Sequence, residues 1–289
     1  MEKIRRIFKL GVKATLLLLE HFWVWLSCSR SDAKSLKSKP FPRYVLQKQT
    51  LTQGDYTFLN AIRNSHYGER CFIIGNGPSL TMEDLDKLVA EFTLASNKIY
   101  LAFDSTKWRP SLYSVEDSLV ATNCHNEISR IDGCIKLFPS NMLPFIRRTR
   151  AHQFVKWIPP EKDNSPVRFF SRDLSGGLHW GSTVTYSLLQ IAVHMGFKKI
   201  YLLGVDHIYI EPVTKASKNI LVSQGERNHF HPGYRKPGET WHAPLLDTLE
   251  RSYEFARDYC NSIGVKIFNA SRRTALDIFP RIGLDDVLE

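Results

Sequence analysis

"CFIIGNGPSL", residues Cys71 to Leu80, decides how the chain is read. Cys71–Ile74 reads as a short buried strand. It breaks into Gly75-Asn76-Gly77-Pro78-Ser79 before Thr81 opens a helical stretch. An apolar strand ending in glycines ahead of a helix is a common way to build a nucleotide phosphate site. The loop is nevertheless neither the dinucleotide fingerprint GxGxxG nor a Walker loop. Gly75 and Gly77 allow a tight turn that brings backbone N–H groups near a ligand, and Ser79 with the helix start adds donors for an anion. The plainer reading is a simple strand-to-helix turn.

Outward from this loop, Thr81 is placed to cap a helix through Met82–Ala90, with Glu83, Asp84 and Asp86 near its positive end. Phe92–Ser96 reads as a strand ending at Asn97, and Ser111–Val115 as a strand ending at Glu116-Asp117. Gly181-Ser182 opens a helix to about His194, with Val184, Leu188, Ile191 and Met195 on one stripe and Gly196 as its stop. Lys199–Leu203 is a strand closed by Gly204-Val205-Asp206. Leu245–Ser262 is helical, Gly264 stops it, and Val265–Phe268 is a short strand.

This alternation predicts an α/β fold, a Rossmann-like parallel sheet with helices on both faces. No internal repeat of fixed period is visible. Residues 140–172 and 207–243 are long and irregular, as lids, binding loops and partly disordered segments are. Ligands of such sheets bind beyond the carboxyl ends of the strands. The polar residues at four strand ends therefore gather on one rim.

Each rim residue has two readings. Asn97 suits a base or ribose edge, or an Asx-turn. Glu116 and Asp117 suit a ribose diol or Mg²⁺, or a solvated turn. Asp206 either caps a loop or orients a ligand. The densest chemistry is "NHFHPGYRKPGETWHAP", residues 228–244, with His229, His231 and His242 beside Tyr234, Arg235 and Lys236. Imidazole is the natural general base near neutral pH. Tyr, Arg and Lys suit a phosphate leaving group. A zinc site is the rival, disfavoured because the third histidine is distant and no cysteine is near; plain surface histidines are the other alternative.

The chain has 289 residues, enough for one large α/β domain or one domain plus an appendage, and at 43% hydrophobic and 24% charged its composition is that of a soluble globular protein. Residues 1–50 hold eleven Lys/Arg against three Asp/Glu, which places +8 of the chain's net +10 there. A basic N-terminal arm explains the charge better than a nucleic-acid-binding face, so no nucleic-acid partner is expected. Five widely spaced cysteines without a CxxC pair argue against a disulfide framework or structural zinc, and fit a reducing cytosolic compartment.

Residues 1–28, "MEKIRRIFKLGVKATLLLLEHFWVWLSC", are interrupted by Lys13, Glu20 and His21, so the clean apolar part is too short to span a bilayer. On a helix Lys3, Arg6, Lys9, Lys13 and Glu20 share one side, and Ile4, Phe8, Leu18, Leu19 and Phe22 the other. The expectation is a basic amphipathic helix on an anionic membrane surface, with a helix packed on the protein's own body or on a partner subunit as the alternative. Ser27-Cys28-Ser29 is a poor cleavage site for a signal peptide. Residues 29–67 read as linker and lead-in, and 68–289 as the nucleotide-binding catalytic domain.

"CFIIGNGPSL", "LASNKIY", "GSTVTYSLLQIAVHMGFKKIYLLGVDH", "NHFHPGY" and "GVKIFNAS", over residues 68–272, together resemble the MptE-like family. Its archaeal members are 6-hydroxymethylpterin diphosphokinases, and many bacterial relatives occur in surface-polysaccharide and flagellin glycosylation settings. The same order of elements is similar to the bacterial family 42 sialyltransferases, which implies a sialyltransferase-like variant of the GT-A fold.

Carried over from the sialyltransferases, the resemblance implies that Asn76, Gly77 and Ser79 contact the nucleotide phosphate and sugar. Asn97 then lies near the phosphate or donor sugar, Ser182 and Thr183 touch the nucleotide, and Tyr209 or Tyr234 stabilises the leaving phosphate. The implied base is a histidine shortly before the last long helix, which favours His242; the MptE-like "NHF" pattern points to His229 or His231. Glu116-Asp117 departs from the Asn-Pro pair of those sialyltransferases, and acids there suggest a different donor contact or a metal ion.

The leading expectation is a glycosyltransferase using a nucleotide-activated sugar, with a CMP-sialic-acid-like donor as one form, and a glycan acceptor. It would act in bacterial surface glycan assembly at the inner face of the membrane and require no cofactor. The alternative is an ATP- and Mg²⁺-dependent diphosphokinase with Glu116, Asp117 and Asp206 near the metal; a nucleotide-sensing module is a third reading.

Overall fold

The computed structural model describes residues 50–160, 169–210, 212, 214–217 and 219–289. The expected arm over 1–28 lies outside them. In chain order the elements are α1 (Gln53–Ile62), β1 (Arg70–Ile74), α2 (Met82–Lys87), β2 (Thr93–Ser96), β3 (Leu112–Ser114), α3 (Ser118–Asn123) and α4 (His125–Arg130). They continue with β4 (Ile135–Pro139), β5 (His152–Val155), β6 (Trp157–Ile158), β7 (Leu178–His179), α5 (Val184–Met195) and β8 (Lys199–Leu203). The last are β9 (Lys215–Ser217), β10 (Ile220–Val222), β11 (Thr240–His242), α6 (Leu246–Ser262), β12 (Lys266–Asn269) and α7 (Leu284–Leu288).

Seven strands form one sheet in the order β12-β8-β1-β2-β3-β4-β5, with every neighbouring pair parallel. The fold is therefore α/β, with a parallel sheet between two helical layers. Strand alternation separates the layers. Cys71, Ile73, Leu94, Leu112, Leu137, Val155, Ile200 and Leu202 pack on one face with α1, α5 and α6. Phe72, Ile74, Ala95, Tyr113, Phe138, Phe154, Tyr201 and Leu203 pack on the other with α2, α3, α4 and α7. Chain order reverses between β1 and β8, the switch point at which open α/β sheets bind ligands.

Helix α5 explains the depth of that core. Every residue from Thr185 to Met195 is buried, and Gly196 ends the helix at φ 96°. It leads into parallel β8, so its N-terminus lies at the carboxyl rim of the sheet. Thr183 caps that end by accepting from Thr185 N–H.

Several boundaries differ from the sequence reading. Helix α2 stops at Lys87 instead of Ala90. The compact body begins before residue 68: Leu59 and Ile62 of α1 are buried, and Asp55 accepts from Phe154 N–H at 2.8 Å and pairs with Arg148. Residues 140–172 carry β5 and β6. Within 207–243, β11, β10 and β9 form a small antiparallel sheet. Among the described residues no helix is long and apolar enough to cross a membrane.

Candidate active site

The glycine loop after β1 packs against the segment after β8. Gly75 N–H donates to Leu203 O at 2.7 Å, and Gly77 N–H to Gly204 O at 2.8 Å. A Cβ on Gly75 would lie 2.3 Å from Gly204 O, and one on Gly77 would lie 2.6 Å from Asp206 Cγ. Ser79 donates to Asp206 through its N–H at 2.7 Å and through its hydroxyl. Burial, opposed by these two hydrogen bonds, raises the Asp206 carboxyl above its ordinary value.

The expectation that Gly75, Gly77 and Ser79 offer free amides to a phosphate is thereby corrected. The glycines are needed for close approach to residues 204–206, and the three amides have acceptors within the protein. Pro78 has no N–H and is exposed. Asp206 orders the loop.

The asparagines are different. Asn76 Nδ2 donates to Ser96 O at 3.2 Å, but Asn76 Oδ1 is buried without a partner. Asn97 holds φ 55°, a left-handed conformation that costs a non-glycine residue about 1 kcal/mol or more. Its Oδ1 is also buried without a partner, as is Ser114 Oγ at the end of β3. Buried polar atoms without partners are rare in a finished core, which marks these three side chains as candidates to meet a ligand. Ser182 and His207, also on the rim, have positive φ as well.

At the end of β3 the two acids divide. Glu116 Oε1 accepts from Trp157 Nε1 at 3.2 Å, and Oε2 accepts from Ser187 Oγ at 2.5 Å. Burial pushes Glu116 up to about 7, against the effect of those two donors. Asp117 caps α3 by accepting from Leu119 and Val120 N–H, and its Oδ1 lies 3.0 Å from His242 Nδ1. Burial pushes Asp117 up. His242 and the two amides outweigh it and hold the carboxyl below its ordinary value. Asp117 in turn raises His242, with burial opposing.

The covering segment 228–242 crosses this rim. Phe230 N–H donates to Asn76 O at 3.0 Å. Lys98, nearly fully buried, donates to Tyr234 O at 2.6 Å and pairs with Glu239. His229 stacks flat on Tyr234 at 3.7 Å, and burial with the charges of Arg235 and Lys98 pushes its pKa well below the ordinary value. His231 Nδ1 accepts from Gly233 N–H, a local turn contact. Burial raises the hydroxyls of Tyr234 and Tyr209, and both lie within reach of the Arg235 charge.

The structure therefore brings Asn76, Asn97, Glu116, Asp117, Tyr209, Tyr234, His229 and His242 to one rim, beside Ser182 and Thr183. Among the described residues no three His, Cys, Asp or Glu side chains gather as a metal cluster. Glu116, Asp117 and Asp206, expected together around Mg²⁺, have separate partners. A cavity of about 410 Å³ lined by Arg257, Asn261, Lys266 and Ile278 lies instead beside the edge strand β12. It lacks the convergent groups of the rim.

The sequence reading missed Lys98, Ser114, Trp157, Ser187 and Trp241. Ser187 carried one signal, a polar residue inside an otherwise apolar helical stripe. Trp157 carried none, because its role rests on a contact with Glu116 across 41 residues.

No family model matches the chain, and no curated protein matches it. Among solved structures it is similar to the MAf glycosyltransferase from Magnetospirillum magneticum AMB-1, at 14% identity and a TM-score of 0.47. The likeness covers 83% of this chain but 39% of that one. At that distance it says nothing of substrate or residue roles.

Proposed function

We propose that the chain is a glycosyltransferase that moves a sugar from a nucleotide-activated donor to a hydroxyl acceptor. The observation that carries this reading is the pair of Asp117 and His242 at the sheet's carboxyl rim. An ionised Asp117 requires Nδ1 of His242 to donate, so Nε2 of the neutral ring carries a free lone pair. That is the arrangement of a general base held in one tautomer.

His242 Nε2 takes the proton of the acceptor hydroxyl while its oxygen attacks the anomeric carbon of the donor. The new C–O bond forms as the bond from that carbon to the phosphate oxygen breaks, and its electron pair leaves with the nucleotide. His242 serves better than His229, whose depressed pKa makes it a weak base, and better than His231, whose Nδ1 accepts from its own turn. The unpartnered Asn76 and Asn97 oxygens suit hydroxyl or amino groups of a nucleoside.

The motif order resembling the MptE-like and family 42 sialyltransferase groups supports a CMP-linked donor and a role in surface glycan assembly. The basic arm over 1–28 supports work at the inner face of a membrane. Thermal-shift binding against CMP, UDP, GDP and ATP, with and without Mg²⁺, tests the reading. Stabilisation by CMP or a nucleoside diphosphate without metal supports it. Stabilisation by ATP alone, and only with Mg²⁺, overturns it in favour of phosphoryl transfer.

A further inference from the structure

The unpartnered polar atoms at the rim lie on two sides. On the strand side, Asn76 Oδ1, Asn97 Oδ1 and Ser114 Oγ are buried without partners. On the covering segment, the unpartnered atoms include two cationic donors, Arg235 Nε and Nη1. The Arg235 guanidinium lies 3.5 Å above the centre of the Trp241 ring, which orients the plane but supplies no acceptor. Burial lowers its pKa, opposed by Tyr234, Glu226, Asp117 and Glu239, none of which accepts a hydrogen bond from it. Arg235 is half-buried, but these two donors are shut off from water without an acceptor, which is costly unless a ligand supplies one.

The glycine loop offers an anion little. The Gly75, Gly77 and Ser79 amides have internal acceptors, and Asp206 puts a carboxylate beside the glycine loop. The neighbouring cation, Lys98, is paired with Glu239.

We infer that the donor's phosphate is held by Arg235 on the covering segment, and that the glycine loop does not bind it. The nucleoside then lies with its hydroxyl or amino groups on Asn76 and Asn97 and its anionic end towards Arg235, within reach of the Tyr209 and Tyr234 hydroxyls. Arg235 is in this account a binding residue that makes a nucleoside site select nucleotides. The inference rests on the nucleotide-donor reading above.

Calorimetric titration of the full chain with the pairs cytidine and CMP, uridine and UMP, guanosine and GMP, and adenosine and AMP tests it. For at least one pair the monophosphate should bind the wild type about tenfold to a hundredfold tighter than its nucleoside, the range of a charge-assisted hydrogen bond. Arg235→Gln should bring that ratio close to one while nucleoside affinity persists. An unchanged ratio in Arg235→Gln overturns the inference and leaves the nucleotide reading standing. If Arg235→Gln does not fold, Arg235→Lys decides in its place: it keeps the charge without the planar donors, so a smaller ratio supports the inference and an unchanged one overturns it. A wild type that binds no member of any pair removes the nucleotide reading itself and the inference with it.

Discussion

His242 Nδ1 sits 3.0 Å from Asp117 Oδ1, the same oxygen that accepts from the first amides of α3. The residues are 125 positions apart, yet they fix one tautomer at the rim of the sheet. The capping amides hold the carboxylate in place and ionised, and the carboxylate orients the ring.

The base role predicts a pH–rate profile. Only neutral His242 accepts a proton, and Asp117 raises its pKa above the ordinary value near 6.5. Turnover should therefore rise with pH through a midpoint above about 6.5. In Asp117→Asn the midpoint should move down and the plateau should fall by about a thousandfold, because the amide no longer enforces the tautomer. Steady-state rates from pH 5 to 9 check this. A midpoint unmoved by the substitution counts against the pair.

The same two shifts predict opposite stability limbs. His242, raised on folding, stabilises below its unfolded pKa and loses that contribution as pH rises through the folded value. Asp117, lowered, stabilises above its unfolded pKa and loses the contribution as pH falls through the folded one. The pair should stabilise most between about pH 4 and 6.5. Urea unfolding of wild type and His242→Ala across pH 3 to 9 should differ most in that window.

Glu116 behaves in the reverse sense to Asp117. Its folded pKa is pushed up to about 7, so stability should fall as pH rises from its unfolded value through that point. Glu116→Gln keeps the shape, lets Ser187 turn its hydroxyl, and removes the buried charge. It should be more stable than wild type at pH 8 by on the order of 2 kcal/mol and nearly equal at pH 4. Chemical denaturation at both pH values checks this; equal stabilities at pH 8 would show that Glu116 ionises freely.

Gly77→Ala should disrupt the seat of the loop. Its Cβ would meet the Asp206 carboxylate and Gly204 O, both within 3 Å. The cost should be about 1–3 kcal/mol, the range of overpacking in a tight core. A thermal melt reads it, and no change would mean that residues 204–206 yield easily.

Glu239→Ala should loosen the covering segment. Lys98 is nearly fully buried and would keep only its bond to Tyr234 O. Leaving a buried charge without its partner costs about 3–5 kcal/mol, so trypsin cleavage after Arg235 should quicken markedly. Lys98→Met, which removes the charge itself, should be milder.

Much of the fold was legible because β1, β2 and β8 are apolar runs ending in Gly or Asn, and because Gly196 marks the end of α5. Strands β4 and β5 were not. "IKLFP" carries Lys136, which is buried with its amine on Ser129 O, and "HQFV" opens on two polar residues. Local pattern gives no sign that long-range packing buries such segments.

The glycine loop shows the same limit. Its tight turn is written in Gly75 and Gly77, but their crowding against Gly204 and Asp206 is a contact between strands distant in sequence. In the sequence, one resemblance favoured His242 and the other His229 or His231. They separate once Asp117, Gly233 and Tyr234 are seen beside His242, His231 and His229 respectively.

The central claim is sugar transfer with His242 as base. It is tested most directly by nucleotide release from a panel of CMP-, UDP- and GDP-sugars at pH 8, with wild type and His242→Gln side by side. Wild type should release nucleotide from at least one donor in the presence of a hydroxyl acceptor, and His242→Gln should be slower by at least about a hundredfold with unchanged nucleotide affinity. Release from no donor, or equal release by the two proteins, would contradict it.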